Sequence, residues 1–357
     1  MHITQLHVEN FRNLANQLIP LSANINLITG ENGAGKTSLL EAIYFLGRQR
    51  SFRTSKPKEL IQQDKNYFRL IAKTLSPEHQ IGVERKLDGQ SLTFQCRIDQ
   101  QTQKSPASLL KIVPTIAITA QSFQLIDAGP SVRRSFIDYG SLHFNTDFLR
   151  HWQVYQKALK NRNAALKQKM TPSVIGSFTP LLAEYGEKIH HCRTDYFSAF
   201  KPLLIKHLVA LKFPYEITIR YAPGWNTDDD LATSLAKHFD YDYRLSHTRF
   251  GPHRADMRFS VEGGNAENRL SRGQQKTLIL ALHLAQIDLI GQYGSATPLL
   301  IFDDIAAELD AQKRNLILNY LAELNCQMFF STTEPDFFDI ASHQQTALIY
   351  LTNGIIS

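Results

Sequence analysis

Cysteine is scarce in this 357-residue chain: Cys96, Cys192 and Cys326 are far apart and odd in number. That excludes a disulfide framework as the basis of the fold and predicts a reducing compartment. Long hydrophobic runs are missing too. The longest nearly uncharged one, residues 277–290, contains His283 and Asp288 and is too short to span a bilayer, so no membrane role is expected. The opening residues lack a basic stretch followed by an apolar one, which predicts no signal peptide. There is no internal repeat of roughly 20–50 residues and no sustained heptad pattern, which disfavours a solenoid or a long coiled coil. Nor is there a large charge excess. Lys+Arg total 39 against 33 Asp+Glu, a formal +6, which is compatible with a polyanionic partner without establishing one.

What is present describes a globular protein. Hydrophobic residues make up 43%, enough for a sizeable core, and charged residues 20%. At roughly 100–200 residues per domain, the length suggests two domains. Short strands are expected at residues 3–8 and 25–29. Three alternating runs at 68–75, 80–87 and 91–97, separated by Ser76-Pro77 and Asp88-Gly89, read as an antiparallel meander. A further strand is expected at 112–119. From about residue 141 the texture becomes helical, with an interruption near 170–180, a strand at 215–221 and an exposed acidic turn at 228–230. Strand-and-helix alternation resumes from about 250.

Directly after the strand at 25–29 stands Gly30-Glu31-Asn32-Gly33-Ala34-Gly35-Lys36-Thr37, followed by a helix start at Ser38-Leu39-Leu40. This is GxxxxGK[ST] in its strand–loop–helix context. Glycines let backbone amides curl round a phosphate, and a helix N-terminus adds unpaired donors and the positive end of a dipole. Lys36 can reach the β- and γ-phosphates of ATP, and the Thr37 hydroxyl can bind Mg²⁺. A chance match somewhere in a chain this long is on the order of one per cent, before the flanking elements are counted.

Leu299-Leu300-Ile301-Phe302-Asp303-Asp304 is an apolar strand ending in two carboxylates. Asp303 is placed to hold Mg²⁺ and Asp304 to orient an attacking water, although buried strands also end in acids for no catalytic reason. Upstream, Leu270-Ser271-Arg272-Gly273-Gln274-Gln275-Lys276 opens an apolar helix, with Ser271 and Gln274 forming a capping box. Such a helix end is itself an anion site, here for the γ-phosphate of a nucleotide held by a second subunit.

The series Ser271–Gln274, the strand to Asp303-Asp304, then Ala307-Glu308-Leu309-Asp310 resembles the signature, magnesium strand and D-loop of ABC-type ATPases. The phosphate loop ends at residue 37 and the signature begins at 270, a separation like that of the SMC-like heads and unlike that of transporter subunits. Four further segments narrow the resemblance to the RecF family of recombination and repair proteins. They are Asn10-Phe11-Arg12-Asn13, the stretch from Leu46 through Gly47 to Thr54, Gly129-Pro130-Ser131-Val132-Arg133-Arg134, and Phe250-Gly251-Pro252-His253-Arg254.

The resemblance implies an α/β fold: an ABC-type P-loop ATPase head with a mixed sheet, flanking helices and an antiparallel β meander. The head would comprise residues 1–140 and 246–357, with a mostly helical lobe inserted at 141–245. It also implies ATP and Mg²⁺ as cofactors, an ATP-dependent homodimer, and binding of double- and single-stranded DNA at gaps or junctions. RecR and RecO are the implied partners in loading the recombinase, within repair, replication restart and the SOS response, in the cytoplasm at the nucleoid. Gln121 would be the Q-loop residue, and Asp310 either a cross-dimer contact or the N-cap of the next helix. Where transporters carry Glu, this chain has Asp304, and where they carry a later His it has Ser331-Thr332-Thr333. Both departures point to slow hydrolysis and a nucleotide-timed switch.

Two acid-free basic stretches are candidate DNA contacts: Arg48, Arg50 and Arg53 with Lys56 and Lys58, and residues 148–183, which include Lys160 and Arg162. Each alone also fits an ordinary solvated face. No Cys/His set with metal spacing accompanies His190-His191-Cys192, so structural zinc is not expected. A transporter ATPase subunit is the second reading, disfavoured by the long split and the basic lobe. A P-loop kinase is the third, and it would have no use for the Ser271–Gln274 signature.

Overall fold

The computed structural model describes residues 1–103, 105–304, 314–333 and 346–356, and these fall into two compact units. The first comprises residues 1–122 and 290–357, the second residues 123–289. The Ala307-to-Asp310 segment lies outside the described residues.

The first unit holds two sheets. One is antiparallel and runs β2 (Gln17–Pro20), β1 (His2–Glu9), β4 (Tyr67–Leu75), β5 (His79–Asp88), β6 (Ser91–Ile98), β7 (Gln101–Thr102). The other has five parallel strands, β14 (Thr346–Thr352), β3 (Ile25–Thr29), β13 (Met328–Thr332), β12 (Leu299–Phe302) and β8 (Thr115–Ile118), with β15 (Ile355–Ile356) antiparallel at one edge. β3, β12 and β13 are buried at every residue, as expected of parallel strands covered on both faces. β4 alternates instead, turning Phe68, Leu70 and Ala72 inward. That face packs on helix α1 (Lys36–Arg48), where Phe68 meets Phe45 and Phe11 edge-to-face with centroids 5.2 and 5.1 Å apart. One core therefore joins the meander to the helix that follows the phosphate loop. Gly47 lets α1 lie against β8: a Cβ there would stand 2.1 Å from the Val113 carbonyl oxygen.

The strand expected at 112–119 is shorter. Helix α2 (Ala107–Ile112) occupies the run's first residue, and β8 begins only at Thr115. Pro114 is the reason: the residue before a proline is pushed out of the helical region, so the helix stops at Val113, whose ψ is 66°.

The second unit contains α3 (Gln124–Asp127), α4 (Pro130–Phe144), α5 (Phe148–Lys167), α6 (Pro172–Gly176) and α7 (Thr179–Ala210). After β9 (Ile217–Ala222) come α8 (Leu231–Lys237) and α9 (Phe239–Leu245), then β10 (Asp256–Val261), β11 (Gly264–Asn265), α10 (Ala266–Arg269) and most of α11 (Arg272–Tyr293). Its bounds, 123 and 289, differ from the expected lobe of 141–245. The division at 245 would have cut a sheet, because β10 pairs with β9 along its whole length. Arg133 of α4 grips Asp256 of β10 at 2.7 and 3.2 Å, and Gln286 of α11 donates to the Phe136 carbonyl and to the Tyr196 hydroxyl. Those bonds tie the flanking segments into the same core.

Within this unit His253 is held neutral. Its Nε2–H donates to the Thr248 carbonyl at 3.0 Å, and Nδ1 accepts from the Tyr155 hydroxyl at 2.6 Å. Burial, reinforced by Arg254, Arg134 and Arg162 and only partly opposed by the Thr248 bond, lowers its pKa from 6.5 to about 4. The unfolded chain therefore binds the extra proton first, and stability present above pH 6.5 drains as pH falls toward 4, by on the order of 3 kcal/mol. Urea unfolding of wild type and His253→Gln across that window checks it. The glutamine variant should lose this part of the pH dependence, and parallel curves would refute the assignment.

Candidate nucleotide-binding site

The parallel sheet delivers the site. All five parallel strands end on one edge, the edge where ligands bind in open α/β sheets. Register sets the levels: Phe302 pairs with Phe330, so the next residues, Asp303 and Ser331, stand side by side. Thr332 pairs with Thr29, the residue before Gly30. Gly30 has φ 149°, and a Cβ there would lie 2.2 Å from the Leu351 carbonyl oxygen, so only glycine lets the chain turn off β3 beneath β14.

From Gly30 the loop runs into α1, whose N-terminus presents unpaired amides. Lys36 Nζ donates to the carbonyls of Gly30 at 2.6 Å and Glu31 at 3.0 Å, tethering its ammonium to the loop's own backbone. Burial pulls its pKa down, against the opposing charges of Asp304 and Asp303. Thr37 Oγ donates to Asp303 Oδ1 at 2.9 Å, and Ser331 Oγ donates to the same oxygen at 2.9 Å. The Asp304 amide donates to Ser331 Oγ at 2.7 Å, and Asp304 takes a left-handed φ of 56°, which Asp tolerates better than most residues. Burial raises the Asp303 pKa, with the Ser331 and Thr37 bonds resisting and the Asp304 charge adding to the rise. A partly buried carboxylate beside a hydroxyl and a second acid is an oxygen donor set suited to a hard divalent cation, which would relieve that strain. Thr37 and Asp303 thus fit Mg²⁺.

These groups line an open cleft of about 520 Å³ that also includes Asn32, Gly33, Gly35, Arg12, Asn13 and Arg53. Asn13 was expected only to carry a family resemblance, yet it braces the loop. Its Nδ2 donates to the Gly33 carbonyl at 3.1 Å, and its Oδ1 accepts from Ser38 Oγ at 2.7 Å. Under the loop, fully buried Glu41 accepts from Arg12 Nε and Nη2 at 2.9 and 3.0 Å. It also accepts from Ser51 Oγ, and Arg53 stands 3.6 Å away. Sequence reasoning named the segments around Arg12 and Ser51 without seeing that one carboxylate gathers them. The signal available was a lone acid, Glu41, in the otherwise uncharged run from Ser38 to Gly47 of α1.

The remaining expected residues divide. Gln121 is exposed in the turn after β8 and is not among the cleft-lining residues. In the second unit, Ser271 and Gln274 form the expected capping box at the start of α11: the Ser271 amide donates to Gln274 Oε1 at 2.8 Å, and the Gln274 amide lies 3.4 Å from Ser271 Oγ. Gly273 sits in the first turn with open space where a Cβ would stand. Arg48 lies over the Tyr44 ring at 5.8 Å, and Arg50 is exposed. Arg53 belongs to the nucleotide cleft. Lys160 is exposed on α5. Arg162 is the correction: it is fully buried, donating to Asp242 Oδ2 at 2.7 Å and Thr248 Oγ at 2.6 Å, so no backbone phosphate reaches it. Among the described residues no cluster of ligands could hold a structural metal, and His190 instead stacks on Tyr221.

Comparison with known proteins decides the family. The domain described as RecF/RecN/SMC N terminal matches residues 2–357. A Hydrogenovibrio crunogenus "DNA replication and repair protein RecF" is 37% identical over 99% of this chain and 98% of its own. The chain belongs to the RecF family of DNA replication and repair proteins. A Marinomonas RecF is 36% identical over 100% of this chain and 98% of its own. Among solved structures, one described as the recombination mediator protein RecF-ATP in the RecFOR pathway superposes with TM-score 0.89 at 28% identity, covering 100% of this chain and 97% of the other. An Smc head bound to part of ScpA gives TM-score 0.60 at 16% identity, covering 100% and 96%, which supports the fold alone. This RecF-family chain therefore has the ABC-type ATPase head fold that its sequence implied, with the Gly30–Thr37 loop and the Asp303 end of β12 on one sheet edge.

Proposed function

We propose that the protein binds and slowly hydrolyses ATP, dimerises on it, and uses the dimer to hold DNA at gaps and single-strand/double-strand junctions during recombinational repair. The observation that carries this reading is the 2.9 Å contact between Thr37, at the end of the phosphate loop, and Asp303, at the end of a separate strand. Gly30, Glu31, Asn32, Gly33, Ala34 and Gly35 would wrap the phosphates with Lys36, while Thr37 and Asp303 would hold Mg²⁺. That ion, when bound, offsets phosphate charge. Asp304 would orient water; as an aspartate it reaches one methylene less far than glutamate, which favours slow turnover and a release switch.

Ser271, Gly273 and Gln274 would close the same nucleotide from a second subunit, since a well-capped helix end is an anion site. RecR and RecO would be the partners, as the place of the RecF structural neighbour in the RecFOR pathway supports. Work at the nucleoid would follow from the DNA binding; among the described residues no helix is long and apolar enough to cross a membrane.

The DNA part is tested by salt titration. A surface that meets at least five phosphates should give log affinity falling against log salt with a slope of about −4 or steeper. A slope near zero would remove the DNA assignment.

A further inference from the structure

The buried Arg162–Asp242 pair fastens two exposed features of the second unit together. Asp242 accepts from Arg162 of α5 and, through Oδ1, from the Arg249 amide at 3.0 Å. Next to it, Asn163 Oδ1 accepts from both the amide and the hydroxyl of Thr248 at 2.8 Å. The loop that carries Arg249 is thus pinned to α5 at Asn163. Lys160 and Lys167 stand three residues before and four after Asn163, so on a helix surface they flank that pin. Both are exposed, as are Arg150 and Lys157. At 100° per residue the four fall within an arc of about 100° on α5, spread over about 25 Å of its axis. The other exposed side chains there, Gln153, Asn161, Ala164 and Gln168, are uncharged.

Beside this cationic face stands an aromatic one. Tyr241 is 39% exposed, and the guanidinium carbons of Arg249 and Arg244 lie 5.0 and 5.4 Å from its ring centroid. Arg249 Nη1 also donates to its hydroxyl at 3.2 Å. Lys169 lies over the neighbouring Tyr243 ring at 4.6 Å. Asp240 is the one exposed acid of α9. A lysine row alone fits any polyanion. An exposed ring held beside two guanidinium groups adds a stacking platform, which a paired base has no means to use and an unpaired base does.

We propose that the exposed face of α5 and the Tyr241–Arg244–Arg249 cluster form a binding surface for single-stranded DNA. Lys157, Lys160 and Lys167 meet backbone phosphates, and Tyr241 stacks an unpaired base. The proposal deepens the DNA-binding reading and rests on it.

The test uses the full chain with a fluorescent oligothymidylate and a blunt duplex of equal length, titrated at several salt concentrations. Lys160→Ala/Lys167→Ala should weaken both ligands and reduce the single-strand salt slope by about 1.4. Tyr241→Ala should weaken the single strand by about tenfold and leave the duplex affinity and the salt slope unchanged. Thermal midpoints equal to wild type show that the variants are folded, as expected of exposed positions. Wild-type affinities in both variants would overturn this surface while leaving DNA binding intact. Equal losses on strand and duplex for Tyr241→Ala would overturn the stacking role. A wild-type protein that binds neither ligand would overturn the surface together with the function it rests on.

Discussion

ATP hydrolysis falls to background in Lys36→Ala, and by about 10²–10³-fold in Asp303→Asn, if the cleft is the site of the reaction. The two losses have different origins. Lys36 supplies a mobile cation already tethered at the loop's opening by Gly30 and Glu31, and the loop has no second ammonium to offer the β- and γ-phosphates. Nucleotide binding itself should therefore weaken in the alanine variant. Asparagine at 303 keeps an oxygen for the Thr37 and Ser331 hydroxyls but removes the charge that would fix a divalent ion. Binding of ATP should survive in that variant and turnover should not. Phosphate release and nucleotide affinity, measured side by side, separate the two. Unchanged turnover in Asp303→Asn would place the chemistry elsewhere.

Arg162→Ala destabilises the protein by about 3–5 kcal/mol, whereas Lys160→Ala, on the same helix and two residues away, leaves stability within about 0.5 kcal/mol. The difference follows from burial. Arg162 and Asp242 are both fully buried, and removing the guanidinium leaves a carboxylate in the interior with only the Arg249 amide as its remaining named donor. Arg162→Ala/Asp242→Ala should recover part of the loss, because the isolated charge is gone. Urea midpoints of the three variants check this. A double variant no better than the sum of the singles would show that the pair is not coupled.

The glycine-rich loop before α1, the apolar strand ending at Asp303 and the capping box were legible in the sequence because they are local patterns. Each is specified by a few consecutive residues: the glycines at 30, 33 and 35, the apolar run to Asp303, and Ser271 with Gln274. The meander strands were equally readable, since alternation and the turns at Ser76-Pro77 and Asp88-Gly89 are short-range signals. What escaped is long-range. Nothing near residue 331 says that its hydroxyl will link the Asp303 carboxylate to the Asp304 amide at the end of another strand, and nothing near Glu41 announces Arg12 and Ser51 as its partners. The same blindness made Arg162 look like a DNA contact. A basic residue in an acid-free run reads as a solvated charge until Asp242, far along the chain, is found against it. The unit boundaries moved for a related reason, since the partner of β9 is sequence-distant β10.

The central claim is that one nucleotide is shared by two subunits, and sedimentation velocity with and without ATP tests it most directly. The account predicts a monomer-to-dimer shift on ATP for the wild-type chain, and none for Lys36→Ala. For Ser271→Ala it predicts none either, although that variant still binds ATP. Dimers of both variants that form with ATP as wild type does would contradict it.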